Sequence, residues 1–227
     1  MRTNPAARES WRGIYVLAFE GAMVYAPADQ VATITAAVAD RGPDELIEAK
    51  TWQDALSGTA QTIYGPVRHY YLDRRDGLAE LAAGRRLNPD DSDALGRLRA
   101  TLPAQEWVVT GFTAQAAMLF GIFEDDVLVA AANLTQGPTV SGDPDPMVSS
   151  GAATDVGLVI HPDARGRGYG LRIAALAAKQ AIAMHGVARY RALTSSPSTL
   201  AIAERLGFDE YGRNLVVYLN DQATPVF

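Results

Sequence analysis

The sequence predicts an α/β protein in two parts, a smaller α/β unit followed by a larger one, and three observations predict it. Short apolar runs bounded by turn residues read as strands, and stretches with apolar residues every three or four positions read as helices between them. One strand runs through a glycine-rich loop straight into a long helix. Of the 227 residues, 48% are apolar, which is enough to bury a core and too much for a disordered chain.

In the first part, apolar runs from Ile14 to Phe19 and from Ala22 to Ala26 flank Glu20-Gly21 and predict a hairpin. Pro27 suits a first helical turn, and Val31, Ile34 and Val38 keep helical spacing until Arg41-Gly42. A second helix is expected from about Pro43 to Leu56, ended by Ser57-Gly58. Thr62 to Leu72 then reads as extended, with a kink or bulge at Gly65-Pro66. The charged stretch from Asp73 to Asp91, with Gly77, Gly84 and Asn88-Pro89, predicts a connection between a domain of residues 1–85 and one of residues 86–227.

In the second part, Ser92 is expected to cap a helix running to about Leu102. Met118 to Phe123 and Val127 to Leu134, around Glu124-Asp125-Asp126, predict a second hairpin. Pro138, Pro144 and Pro146 make Gln136 to Ala153 a long loop, either a cover or an insertion. Asp155 to Ile160 is the strand that enters the glycine-rich loop through His161-Pro162. In the helix after it, Leu171, Ala174, Ala178 and Ile182 share a face and Gly186 follows the end. A strand from Arg189 to Thr194, a short helix from Ser198 to Leu206 closed by Gly207-Phe208, and a strand from Asn214 to Leu219 complete the chain. No repeat at a fixed short period is visible.

The absence of cysteine excludes disulfides, thiolate nucleophiles and cysteine-ligated metals, and it permits a reducing cytoplasm. Serine or main-chain chemistry must do the work. The three histidines, at 69, 161 and 185, lie on different elements, so no metal site is expected. A formal net charge of -6 opposes a nucleic-acid partner, which calls for clustered Lys and Arg, and slightly favours a cationic substrate. No apolar run follows Met1-Arg2-Thr3-Asn4-Pro5, and no later stretch is long enough to span a bilayer. A soluble cytoplasmic protein with no membrane partner is the expectation.

Glycines at 166, 168 and 170, between a strand and a helix, leave main-chain N–H groups unpaired and facing outward. The helix dipole adds about half a positive charge there, and Arg165 and Arg167 add full ones. Such a place binds an anion, with a pyrophosphate as its natural guest. The Rossmann spacing fails, because the sixth position counted from Gly166 is Leu171, and a P-loop fails for want of Gly-Lys-Ser or Gly-Lys-Thr.

What remains, Arg165-x-x-Gly168-x-Gly170 after Val159-Ile160-His161-Pro162, resembles motif A of the GNAT superfamily of N-acetyltransferases. The resemblance covers roughly Pro103 to Leu219, where hairpin, strand, loop, helix, strand and Gly-Phe-terminated helix follow in the family's order. The N-terminal part is similar to an extra half-domain of some actinobacterial-type members; an independent interaction module is the alternative. The resemblance implies a mixed, mostly antiparallel twisted sheet, splayed at the cofactor strand and flanked by helices. It also implies acetyl-CoA, or another short acyl-CoA, as cofactor and direct transfer, in a ternary complex, to a primary amine of a small molecule. A protein or peptide acceptor, or a catalytically weak acyl-CoA sensor, are the alternatives, and a homodimer is left open.

The family pattern then implies roles for individual residues. Arg165, Gly166, Arg167, Gly168, Tyr169 and Gly170 would hold the diphosphate, and main-chain groups of Val159, Ile160 and His161 the pantetheine, with the amide near Val159 polarising the thioester carbonyl. Asp155 stands where many members carry a glutamate, so it is the expected base if burial raises its pKa. Glu106, Glu124 and Asp126 are weaker candidates. The sequence departs from the pattern at the general acid, where Ala203 replaces the usual tyrosine, and at Ser196, which replaces an asparagine. Ser196 could hydrogen-bond the pantetheine or reach the thiolate through water, and Tyr211 or Tyr218 could stand in as the acid. Trp107 and Phe112 either line an acceptor pocket or pack in the core.

Overall fold

The structure, a computed structural model, describes residues 13–57, 61–112, 118–136 and 153–219. The first hairpin forms as expected from β1 (Gly13–Ala18) and β2 (Ala22–Tyr25), with Tyr15 opposite Tyr25. The helix α1 (Val31–Ala37) follows. The single helix expected from Pro43 to Leu56 is instead two, α2 (Pro43–Leu46) and α3 (Ala49–Ala55), with Glu48 extended between them. Side chains of α3 explain the break: Thr51 Oγ1 donates to the Glu45 carbonyl at 2.6 Å and the Trp52 indole N–H to the Leu46 carbonyl at 2.8 Å. Those are the carbonyls that a continuing helix would pair with its own amides.

The extended stretch is β3 (Gln61–Leu72), whose register against its neighbour shifts between Tyr64 and Val67, around a cis Gly65-Pro66 bond. Beyond it lie α4 (Leu78–Leu81), β4 (Arg85–Arg86) and α5 (Ser92–Ala100). Ser92 is the first residue inside α5 rather than its cap. The N-cap position of α5 is Asp91, and the capping box lies one turn earlier, on the 3-10 turn Pro89–Asp91, where the Asn88 side chain accepts from the Asp90 N–H at 2.8 Å while Asp91 accepts from the Asn88 N–H. A further short helix, α6 (Ala104–Val109), was not anticipated.

The second hairpin, β5 (Met118–Glu124) and β6 (Val127–Gln136), turns at Asp125 and Asp126, whose φ angles of 46° and 64° are those of a tight two-residue connection. Of the loop expected between Gln136 and Ala153, residues 137–152 lie outside the described residues. The chain continues through β7 (Thr154–Ile160), α7 (Tyr169–His185), β8 (Ala188–Leu193), α8 (Pro197–Arg205) and β9 (Asp209–Leu219).

All the described strands join one nine-stranded sheet in the order β2-β1-β9-β3-β8-β7-β6-β5-β4. Every pairing is antiparallel except β7 with β8, which α7 joins by a crossover, as a parallel pair requires. The sheet is thus mixed and mostly antiparallel, as the resemblance implied. The N-terminal strands have no sheet of their own: β3 lies between β9 and β8, and β1 on the other side of β9.

Helices cover both faces. Ile173, Ala174, Ala177, Ala178, Ala181 and Ile182 of α7 are buried against β5 to β8, small residues that let the helix lie close. On the opposite face, Leu98 and Trp107 of α5 and α6 pack with Phe112, Ala131 and Val159, so Trp107 and Phe112 are core residues, their rings 4.6 Å apart. At the far end, Ile34 and Trp52 pack on Ile14, Val16, Leu215 and Val217.

Candidate active site

Along its whole length β7 pairs with β6, from Gln136 opposite Thr154 to Ala130 opposite Ile160. With β8 it pairs only at Thr154–Ala188 and Asp155–Arg189, while β8 itself continues along β3 to Leu193. From Val156 and Tyr190 onward the two strands part. An interior strand offers main-chain N–H and C=O groups to both neighbours, so those of β7 on the open side are left to whatever enters the split. A cavity of about 640 Å³ lies there, bordered by β7, β8, the loop after β7 and the start of α8.

The glycine-rich loop sits at the wide end. Gly168, at φ 82°, is the N-cap of α7, and the Arg172 amide is the one that turns back to its carbonyl, at 3.3 Å. The amides of the turn ahead of it have no partner within the helix. A Cβ built on Gly166 or Gly168 would meet nothing within 4 Å, so the space in front of the loop is open. Gly170 is different: there a Cβ would lie 3.0 Å from Ile202 Cδ1, because α7 and α8 meet at that point.

Of the residues expected to hold the cofactor, Val159, Ile160, Arg165, Gly166, Gly168, Tyr169, Gly170 and Ser196 border the cavity. His161 and Arg167 do not. The His161 ring accepts from the Asp163 N–H at 3.2 Å, and Arg167 binds Glu124 at 2.7 Å while lying over the Tyr169 ring. Tyr169 also donates to Glu124, at 2.5 Å, and these two donors hold the Glu124 carboxyl below the usual range, Tyr169 first and Arg167 second. Glu124 therefore ties the start of α7 to the end of β5 and is a poor base. Asp126 serves the hairpin turn. Arg165 donates to both oxygens of Glu106, at 2.8 and 2.9 Å, and so bridges the loop to α6.

Asp155 does border the cavity, yet its environment reverses the role expected of it. Burial pushes its carboxyl up, but the charge of Arg191, then the hydrogen bond and charge of Arg189, outweigh burial and hold it below the usual aspartate range. The condition for a base, a raised pKa, is not met, because two guanidinium groups from β8 share this one carboxylate. Arg189 and Arg191 went unnoticed in the sequence. Their alternation about Tyr190 in a predicted strand puts both on one face, which is the signal that they need a common acid.

Tyr211 is likewise corrected: it is 57% exposed, stacked at 6.4 Å on Phe19 and edge-on to Tyr71, and is not among the residues around the cavity. Tyr218 is buried in a separate cluster with Tyr15 and Val216. Ser196 borders the cavity with its hydroxyl 2.7 Å from that of Thr199. Ala203 is fully buried in α8.

Two polar side chains near the split were not anticipated. Tyr190 borders the cavity at 3% exposure, and its hydroxyl has no hydrogen-bond partner among the described residues. Asn133, opposite Gly157 on β6, is fully buried, and among the described residues neither of its side-chain polar atoms is paired. Among the described residues, no group of His, Cys, Asp and Glu is placed to hold a metal ion, and no helix is long and apolar enough to cross a membrane.

Residues 83–208, more than half of the chain, match the acetyltransferase (GNAT) family. No curated protein matches. Among solved structures, an acetyltransferase from the GNAT family of Colwellia psychrerythraea is similar at a TM-score of 0.55 and 12% identity, over 87% of this chain and 76% of that one. A functionally unknown conserved protein from Staphylococcus epidermidis is similar at 0.55 and 9%, over 78% and 69%. At such identities the likeness speaks for the fold.

Proposed function

We propose, from the premise that this chain belongs to the acetyltransferase (GNAT) family, that it moves an acetyl group from acetyl-CoA, or another short acyl-CoA, to a primary amine of a small molecule in a ternary complex. Acyl transfer comes with the family; the cofactor, acceptor and order of events are our reading. The observation that carries it is the parting of β7 from β8 beyond Asp155–Arg189, with an open glycine-rich loop at its wide end. A long cofactor with a diphosphate at one end fits a cleft with an anion site at one end.

When bound, the acyl-CoA would supply an activated thioester. The amides of Gly166, Gly168 and Gly170 and the Arg165 guanidinium would hold the diphosphate, at the positive end of the α7 dipole. Main-chain groups of β7 on the open side, those of Val156, Leu158 and Ile160, would pair the pantetheine and polarise the thioester carbonyl, whereas the Val159 amide, in phase with the His161 N–H that bonds the Val129 carbonyl, faces β6. Ser196 sits where α8 meets the cavity and would add a side-chain hydrogen bond.

Among the described residues, the acids that border the cavity are Asp155 and Glu106, and arginines hold both, Arg189 and Arg191 the first and Arg165, at the loop end of the cleft, the second. Asp155 instead fixes Arg189 and Arg191 at the narrow end of the split. The cavity, about 640 Å³, lies within the range of small-ligand and cofactor sites.

A thiol-release screen over amine classes with acetyl-CoA tests this reading. Release that depends on an amine of small-molecule size is the expected result. Retained acetyl-CoA binding with no release from any amine would contradict the enzyme and favour a sensor.

A further inference from the structure

The cavity passes through the sheet and has two sides, because alternate residues of a strand face opposite ways. Val156, Leu158 and Ile160 of β7 and Tyr190 and Ala192 of β8 pack with α7, on the side where the glycine-rich loop opens. Asp155, Gly157 and Val159, with Arg191 and Leu193, alternate with them and belong to the other side. There Val159 packs with Trp107, and a Cβ on Gly157 would meet the Thr110 carbonyl. A coenzyme held at the loop takes the first side, which leaves the second to the acceptor.

A net charge of -6 on the whole chain suggests a cationic acceptor, but the charges around this cavity suggest the reverse. Asp155 accepts from Arg189 on both oxygens, at 2.5 and 2.6 Å, and Glu106 accepts from Arg165 on both of its own, at 2.8 and 2.9 Å. A second ammonium group on the acceptor would therefore find, among the described residues around the cavity, no carboxylate that an arginine does not already hold. An anion would find Arg191. It stands two residues past the last rung, Asp155–Arg189, as Gly157 does on the facing strand, so it lies directly across the split from the glycine. Its side chain borders the cavity and is 25% exposed, where that of Arg189 is 3%. The 3.4 Å from Arg191 to Asp155 is longer than the roughly 2.7–2.9 Å of a charge-assisted hydrogen bond. A guanidinium has several N–H donors in a planar fork, so Arg191 can keep Asp155 beside it and receive a second acid.

Resting on the acyl-transfer reading above, we infer that Arg191 binds an anionic group carried by the acceptor, so that the substrate is an amine with its own carboxylate or phosphate and not a polyamine. The guanidinium holds that group beside Gly157 while the amine nitrogen turns to the thioester laid along β7. Arg191 takes no part in the transfer; it sets which amines are placed for it.

The test measures kcat/KM with acetyl-CoA for two matched pairs of acceptors, an amino acid against its amide and an aminoalkyl phosphate against the amino alcohol. It uses the wild-type chain and Arg191→Gln, which leaves the two-point bond of Arg189 to Asp155 in place. Wild type is expected to favour the anionic member of at least one pair by about tenfold or more, the worth of a hydrogen bond to a charged group, and the pair that shows it tells carboxylate from phosphate. In Arg191→Gln that ratio is expected to fall toward one through a raised acceptor KM, with coenzyme A affinity and the unliganded melting temperature unchanged. Taking the ratio of ratios cancels the intrinsic reactivity of each amine. A wild type without preference in either pair, a preference that survives in Arg191→Gln, or a polyamine that outruns both anionic acceptors overturns the role of Arg191 and leaves acyl transfer standing. Bound acetyl-CoA with no thiol release from any amine overturns both.

Discussion

Asp155 and Arg189 form a two-point ion pair, Nε to Oδ1 at 2.5 Å and Nη2 to Oδ2 at 2.6 Å, at the last rung before β7 and β8 separate. Their side chains are 8% and 3% exposed, and Arg191 approaches the same carboxylate at 3.4 Å. A charge pair at this point closes the split where the sheet hydrogen bonds stop. Removing the acid would take from Arg189 and Arg191 the buried carboxylate that they share. Asp155→Ala is therefore expected to destabilise the fold by about 3–5 kcal/mol, measured by urea unfolding. A loss under about 1 kcal/mol would show that the pair does not hold the split.

The same pair sets a pH dependence. The folded pKa of Asp155 lies below the ordinary aspartate value of about 3.9. A depressed acid adds stability that is present above its unfolded pKa and lost as pH falls through its folded one. Wild type should therefore melt well above Asp155→Asn at neutral pH, and the gap should narrow below about pH 4. A gap that stays constant down to pH 3 would contradict the ion pair.

Glu106 is the partner of Arg165. An exposed ion pair contributes at most about 1 kcal/mol, so its loss changes coenzyme affinity by less than about tenfold. Loss of a general base lowers kcat by about 10²-fold or more. Glu106→Gln should thus show a small change in coenzyme affinity with kcat nearly retained. A fall in kcat of that size would make Glu106 the proton acceptor instead.

Gly157 lies where a side chain has no room: a Cβ would fall 1.9 Å from the Thr110 carbonyl oxygen and 2.3 Å from Asn133 Oδ1. Gly157→Ala must displace the end of α6 or the Asn133 side chain, both next to the cavity. It should cost about 1–3 kcal/mol in denaturant unfolding and weaken acceptor binding with it. Wild-type stability and KM in this variant would mean that the approach is looser than described.

Much of this architecture was legible because the signals were local. The Asp125-Asp126 turn, the strand entering Gly166-x-Gly168-x-Gly170, and the helix ending at Gly186 each follow from residues within a few positions of one another. The placing of β3 between β8 and β9 joins segments more than a hundred residues apart, and nothing short-range in Thr62 to Leu72 announces its neighbours. Asp155 misled for the same reason. Its strand position matched a catalytic one, but its pKa is set by Arg189 and Arg191 on a different strand. Tyr211, read as a substitute acid, proved to be a surface aromatic on Phe19 and Tyr71.

The loop should answer to charge. Acetyl-CoA at about a hundred times its dissociation constant should stabilise wild type by roughly 2.7 kcal/mol, read as a raised melting temperature. Gly168→Asp, which places a carboxylate in the open space before the amides, should abolish the rise. A full rise in that variant would put the diphosphate elsewhere.

The claim that main-chain amides at the start of α7 grip the coenzyme is tested most directly by a nitrogen-resolved NMR titration with coenzyme A. The account predicts that the amide signals of Gly166, Gly168 and Gly170 move together and saturate at one dissociation constant, along with those of β7 from Val156 to Ile160. Saturable binding that leaves these amides unmoved would contradict it.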